Sequence, residues 1–228
     1  MPLNQSSIFP PAKEFTINYN WVDMAAGTGY VLYYLHATKM AAGTTYHLTP
    51  SNYMDTLTGE HYNAQTREYY KSANAAGAGS ASIDLDFDTT TFQHPVTIKG
   101  NAVIRFGWMC EVAYSDNVSA YLVCKLRKWD GTSETEIASC QSSGFSATGG
   151  SDSVGCGTIV MSVPQTHFNK GDQIRLTTEV WATKSGAGGS GGVVLTYDAN
   201  DAEMTVGTKT LSAGSTLLAA AIPYKINP

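Results

Sequence analysis

The sequence predicts an all-β protein, an antiparallel two-sheet β-sandwich of jelly-roll type. It divides into an extended N-terminal arm over residues 1–14 and a single domain over 15–228. Three observations predict this. Apolar and polar residues alternate with period two over many short segments, the pattern of strands with one buried face. Turn-forming dipeptides separate those segments. No motif repeats at a fixed period, which sets aside solenoids and propellers.

In order along the chain, the arm carries Ile8, Phe9, Pro10 and Pro11, an apolar stretch that proline holds extended. It is expected to dock on its own body or on a neighbouring subunit, because a free terminus is otherwise mobile. In 15–22, Phe15, Ile17, Tyr19 and Trp21 share one face and Thr16, Asn18 and Asn20 the other. Residues 28–36 are apolar on both faces and predict a strand covered on both sides. A short strand is expected near 44–48, a turn of helix within 64–72, and a Gly/Ala-rich loop over 73–82.

The second half alternates more cleanly. Ile83, Leu85 and Phe87 oppose Asp84, Asp86 and Asp88; Ile104, Phe106, Trp108, Cys110 and Val112 line one face of the next strand. Leu122, Cys124 and Leu126, then Ile159, Met161 and Val163, then Ile174, Leu176, Thr178 and Val180 mark three more inner faces. Strands are also expected at 193–197 and 217–222. Asp130-Gly131 predicts a hairpin into 135–140, and turns are expected at Lys99-Gly100-Asn101 and Asn169–Asp172. The Gly/Ser stretches 141–157 and 185–192 read as long loops.

Composition restricts the partners. Charged residues are 14% of the chain, against about 25% in ordinary domains, and the net charge is -5. The densest basic stretch is Lys125, Arg127 and Lys128, too small for a phosphate track, so no nucleic-acid partner is expected. No basic start leads into an apolar run, so no secretory signal is expected. The apolar run 217–222 is too short to span a bilayer, so no membrane partner is expected either.

The search for chemistry finds no enzyme motif. His36, His47, His61, His94 and His167 form neither H-E-x-x-H nor H-x-H, and no C-x-x-C occurs. The nucleophile elbow and the phosphate loop are absent as well. The chain therefore reads as a non-enzyme without a cofactor. Cys110 and Cys124 read as buried free thiols, while Cys140 and Cys156 flank a loop that a bridge between them could close. Asp84, Asp86 and Asp88 form an acidic ladder: a weak calcium candidate, and more simply a solvated face or an edge guard. Tyr121, Trp129 and Trp181 are expected to point outward, where aromatics serve subunit contacts, stack on sugar rings or lie under a long loop such as 185–192.

Three segments carry a family resemblance: TIKGNAVIRFGW at 97–108, SAYLVCKLRKWDGTSETEIAS at 119–139 and HFNKGDQIRLTTEVWA at 167–182. Together they resemble β-sandwich virion proteins of tailed phages, above all capsid decoration or cement proteins, over about residues 92–183. The resemblance implies a homo-oligomer, with a trimer among the options, made in the host cytoplasm. It would sit on the capsid exterior, bind the major capsid protein and stabilise the shell. Ile8, Phe9, Pro10, Tyr121, Trp129 and Trp181 would then be interface residues. A carbohydrate- or receptor-binding module of tail or fibre type is the alternative, and a jelly-roll major capsid protein the third reading.

Overall fold

The structure is a computed structural model that describes residues 17–18, 28–40, 43–50, 69–72, 81–112, 116–186, 191–197, 203–206 and 209–225. Among these residues every regular element is a strand. In chain order they are β1 (Ile17–Asn18), β2 (Thr28–Met40), β3 (Gly43–Thr49), β4 (Tyr69–Ser72), β5 (Ile83–Asp88), β6 (Val96–Val112), β7 (Asn117–Trp129) and β8 (Glu134–Gln141). There follow β9 (Phe145–Ala147), β10 (Ser153–Phe168), β11 (Gln173–Ser185), β12 (Gly191–Thr196), β13 (Met204–Val206), β14 (Lys209–Leu211) and β15 (Ala219–Lys225).

Thirteen strands share one sheet. Its main order is β4-β12-β6-β15-β2-β3-β5-β11-β7-β8, with β1 on β2, β10 on β6 and β9 on β7. β13 and β14 form a separate ribbon. The sheet is mixed because β3 meets β5 in parallel, through His47 and Asp88, while the other pairings are antiparallel. Strands far apart in this order meet through their side chains. Phe87 of β5 packs edge-on against Tyr197 beyond β12, at 5.9 Å. Trp108 of β6 stacks on Phe145 of β9 with 4.4 Å between centroids. The sheet thus curls over one core, which buries Val31, Leu35, Ile104, Leu122, Leu126 and Leu176 among others. Each fully buried aliphatic side chain contributes about 1.5–3 kcal/mol.

The inner faces match the period-two pattern. In β5 the burial alternates from Ile83 to Asp88, and in β7 Val118, Ala120, Leu122, Cys124 and Leu126 all point inward. The Asp130-Gly131 hairpin forms as expected between β7 and β8. Asp130 Oδ1 accepts the backbone N–H groups of Thr132 (2.9 Å) and Ser133 (2.7 Å). These bonds, that from Ser133 foremost, hold its carboxyl far below the usual range. The Asn169–Asp172 turn also forms, closed by the Asn169 N–H donating to Asp172 Oδ2 at 2.6 Å.

Several expectations are corrected. Residues 99–101 do not turn: they lie inside β6, where Gly100 at φ 129° accommodates a bulge. The opposite strand shifts register there, between Val163 and Thr166 of β10. The Gly/Ser stretch 141–157 is not one loop. It holds β9 and the start of β10, whose Gly155 and Gly157 lie against the Trp108 and Phe106 rings. The helical turn expected within 64–72 is replaced at Tyr69–Ser72 by β4, which pairs with β12. β2 is covered on one face more than the other: Val31, Tyr33 and Leu35 are buried, while Tyr30, Leu32 and Tyr34 are half-buried. Met109, on the face of β6 opposite Ile104 and Phe106, is buried with Val194 beneath Met204, Val206 and Leu211 of the β13–β14 ribbon.

Candidate active site

A cleft of about 280 Å³ opens where β3, β5 and β11 meet, lined by Thr45, His47, Thr49, Asp88, Thr90 and Gln173 among others. The β2–β3 hairpin sets its inner wall. With Met40 opposite Gly43, the register places His36 directly opposite His47 and Tyr34 opposite Thr49. Residues 47 and 49 share a face of β3, so both project beside His36.

His36 is 2% exposed, and its Nε2 lies 2.9 Å from Thr49 Oγ1. Burial, with a smaller push from His47, lowers its pKa from 6.5 to about 4. The ring is therefore neutral at pH 7 and can accept a proton from a hydroxyl. Its Nδ1 has no hydrogen-bond partner. His47 tilts over His36 at 5.5 Å between centroids. Burial lowers the His47 pKa as well, against the opposing pull of Asp88. Asp88 is fixed by Arg175, whose Nε and Nη2 donate to Oδ1 (2.7 Å) and Oδ2 (2.8 Å). The Gln173 amide donates to the Thr89 carbonyl and closes the far wall.

The acidic ladder lies in the middle of the sheet, between β3 and β11, and not at an edge. Asp88 pairs with Arg175, Asp86 accepts from Thr177 Oγ1 and lies 3.7 Å from Arg175, and Asp84 is exposed. Among the described residues no group of three His, Cys, Asp or Glu side chains is placed to hold a metal ion. Tyr121 and Trp181 lie half-buried and parallel on neighbouring strands, 6.5 Å apart. The Trp181 Nε1–H donates to Glu179 at 2.9 Å, and the Arg175 guanidinium sits 4.6 Å over the Trp129 ring. Ile8, Phe9 and Pro10 fall outside the described residues. All four cysteines are free thiols, with Cys110 and Cys124 buried as expected.

No motif pointed to His36, His47 and Thr49. What puts the two histidines opposite one another is the β2–β3 register, with Met40 opposite Gly43. Spacing rules for metal or protease motifs cannot register a pair made by strand pairing.

No family model and no curated protein matches the sequence. Among solved structures, the chain is similar to a CocE/NonD family hydrolase from Staphylococcus aureus, at 12% identity and TM-score 0.49, over 88% of this chain and 37% of that one. It is similar to an α-amino acid ester hydrolase at 12% identity and TM-score 0.48, over 86% and 36%. An aminopeptidase from a marine-sediment Thaumarchaeota archaeon aligns at 12% identity and TM-score 0.46, over 88% and 37%. The chain thus spans little more than a third of each. The solved structures it is similar to are thus hydrolases and an aminopeptidase, where the resemblance led to phage virion proteins and the motif search to a non-enzyme. The physical reason lies in the motifs that carried the resemblance. Asp130-Gly131 is the hairpin turn between β7 and β8, and Lys170-Gly171-Asp172 a turn between β10 and β11, which pair with other strands; both are closed by their own aspartates, and any antiparallel sheet uses such turns.

Proposed function

We propose that the cleft at β3, β5 and β11 is a hydrolytic site for a small ester or amide, with Thr49 as nucleophile and His36 as its base. The observation that carries this is the 2.9 Å contact between Thr49 Oγ1 and His36 Nε2, with the hydroxyl lining an open cleft and the imidazole buried and neutral. That is the distance and protonation state a hydroxyl nucleophile needs from its base. Thr49 Oγ1 attacks the carbonyl carbon as its proton passes to His36 Nε2. The bond to the leaving group breaks as Nε2 returns the proton to it. Water, deprotonated by the same nitrogen, then releases the acyl group from Thr49. His47, backed by Asp88, lines the same wall and can donate to the substrate. In this reading the curled sheet is a two-layer jelly-roll sandwich, and the cleft sits where β3 links its layers.

The test is hydrolysis of p-nitrophenyl acetate and a panel of aminoacyl esters and amides. Thr49→Ala and His36→Gln are each expected to lose about 100-fold or more in turnover, and Thr49→Ser to retain it. With a base of pKa about 4, turnover holds at pH 5 and falls below about pH 4. Wild-type protein inert on the whole panel, or Thr49→Ala as active as wild type, overturns the proposal.

A further inference from the structure

We propose that Cys124 and Cys140 form an oxidation site, a cross-strand disulfide that straps β8 to β7 when the protein meets a low-molecular-weight disulfide. The two residues are direct partners in the antiparallel β7–β8 ladder. Direct partners point to the same face of a sheet, with Cα atoms about 4.5–5.5 Å apart, inside the span of about 4.4–6.8 Å that a disulfide bridges. Both thiols face the core: Cys124 is fully buried, and Cys140 is half-buried and packs against the same cluster. The other two cysteines have no such partner. Cys110 lies opposite Ser153, and Cys156 opposite Gly107 on an exposed position of β10. The bridge that the flanking positions of Cys140 and Cys156 suggest is thus replaced by one to the neighbouring strand.

β8 is where such a strap acts. It ends the main order of the sheet, so among the described residues only β7 pairs with it. Cys140 sits near the end of β8 away from the Asp130 turn, so a bond there closes the hairpin at its open end. Entry is through Cys140, the more accessible of the two. Solvent base takes its proton, and the thiolate attacks one sulfur of the small disulfide, expelling the first thiolate. Cys124 then loses its proton and attacks the Cys140 sulfur, expelling the second. The two protein thiols give up two electrons in all, the small disulfide is reduced to two thiols, and the two protons end on those thiols. Burial raises the Cys140 pKa to about 11 and that of Cys124 well above the ordinary value, so closure is slow at neutral pH and quickens as pH rises.

The test is incubation of the folded protein with oxidised glutathione at about pH 8.5. The protein is then denatured, alkylated without reduction, digested with trypsin and analysed by mass spectrometry. The expected result is one linked species containing Cys124 and Cys140, lighter by two hydrogens than its parts and separated by dithiothreitol, with Cys110 alkylated. Its rate of appearance should rise with pH, and the bridged protein should melt at a higher temperature than the reduced one. Recovery of Cys124 and Cys140 as separate alkylated peptides, or a link from Cys140 to Cys156, overturns the proposal. So does a bridged form that melts no higher than the reduced one.

Discussion

His36 shows how much one buried group can decide. Its ordinary pKa of 6.5 falls to about 4 in the fold, because burial penalises the charged ring and His47 adds to the penalty. Between those values the unfolded chain binds a proton that the folded chain refuses, so stability rises with pH across that window. Above pH 6.5 both states are neutral at this site and nothing is lost. Falling from pH 6.5 to 4, the group withdraws about 3 kcal/mol, the two and a half pKa units at about 1.36 kcal/mol each. His36→Gln should flatten that part of a melting-temperature profile taken from pH 7 to 4; an unchanged profile would place the titration elsewhere. Gly107 is constrained by space. A Cβ there would stand 1.8 Å from the Ser215 carbonyl oxygen and 2.4 Å from Thr196 Oγ1, so backbone must shift. Gly107→Ala should cost about 3 kcal/mol or more in urea unfolding, beyond the usual range for one surface change.

Between elements, Arg175 does for the outer face what the core does for the inner one. From β11 it holds Asp88 of β5 in a two-point pair, reaches Glu134 of β8 at 3.1 Å and covers Trp129 of β7. One planar fork thus ties four strands together, and the Asp88 bond, first among its causes, raises its own pKa. Arg175→Ala is expected to cost about 2 kcal/mol, and Arg175→Lys to recover little of it, because an ammonium group cannot make the two-point pair. Equal stability of the Lys variant and wild type would reduce the network to simple charge pairing. The same fixing of Asp88 sets the wall beside His47, so Arg175→Lys should also shift the KM of any substrate the cleft turns over. The inner faces of these strands were legible in their alternation. The pairing of Asp88 with an arginine 87 positions away was not.

For the whole molecule, the C-terminal strand is the critical piece. β15 lies between β6 and β2, pairing Ala220 with Ile104 on one side and with Tyr33 on the other. It is last in order among the described strands and fills the middle of the sheet. Truncation before Ala219 should therefore prevent folding and not merely fray an end, as circular dichroism and hydrogen exchange would reveal. A truncated chain that melts cooperatively would sink this reading. Contacts of such separation also predict slow folding, on the millisecond-to-second scale of other non-local β topologies.

What the sequence by itself determined was local. Alternation placed the inner faces of β5, β7 and β11, because side chains on a strand must choose between water and core. Asp130-Gly131 and Asn169–Asp172 placed two turns, because their chemistry closes on itself within four residues. Three matters were left to tertiary structure. A glycine signal at Gly100 became a bulge inside a long strand, because the partner strand supplied an extra residue to match it. The Gly/Ser stretch at 141–157 became strand, because two glycines there leave room for aromatic rings from β6. The cleft that joins His36, His47, Thr49 and Asp88 exists only once β3 lies parallel to β5. Strand order is a long-range choice made by the summed packing of the core, and no short window of sequence contains it.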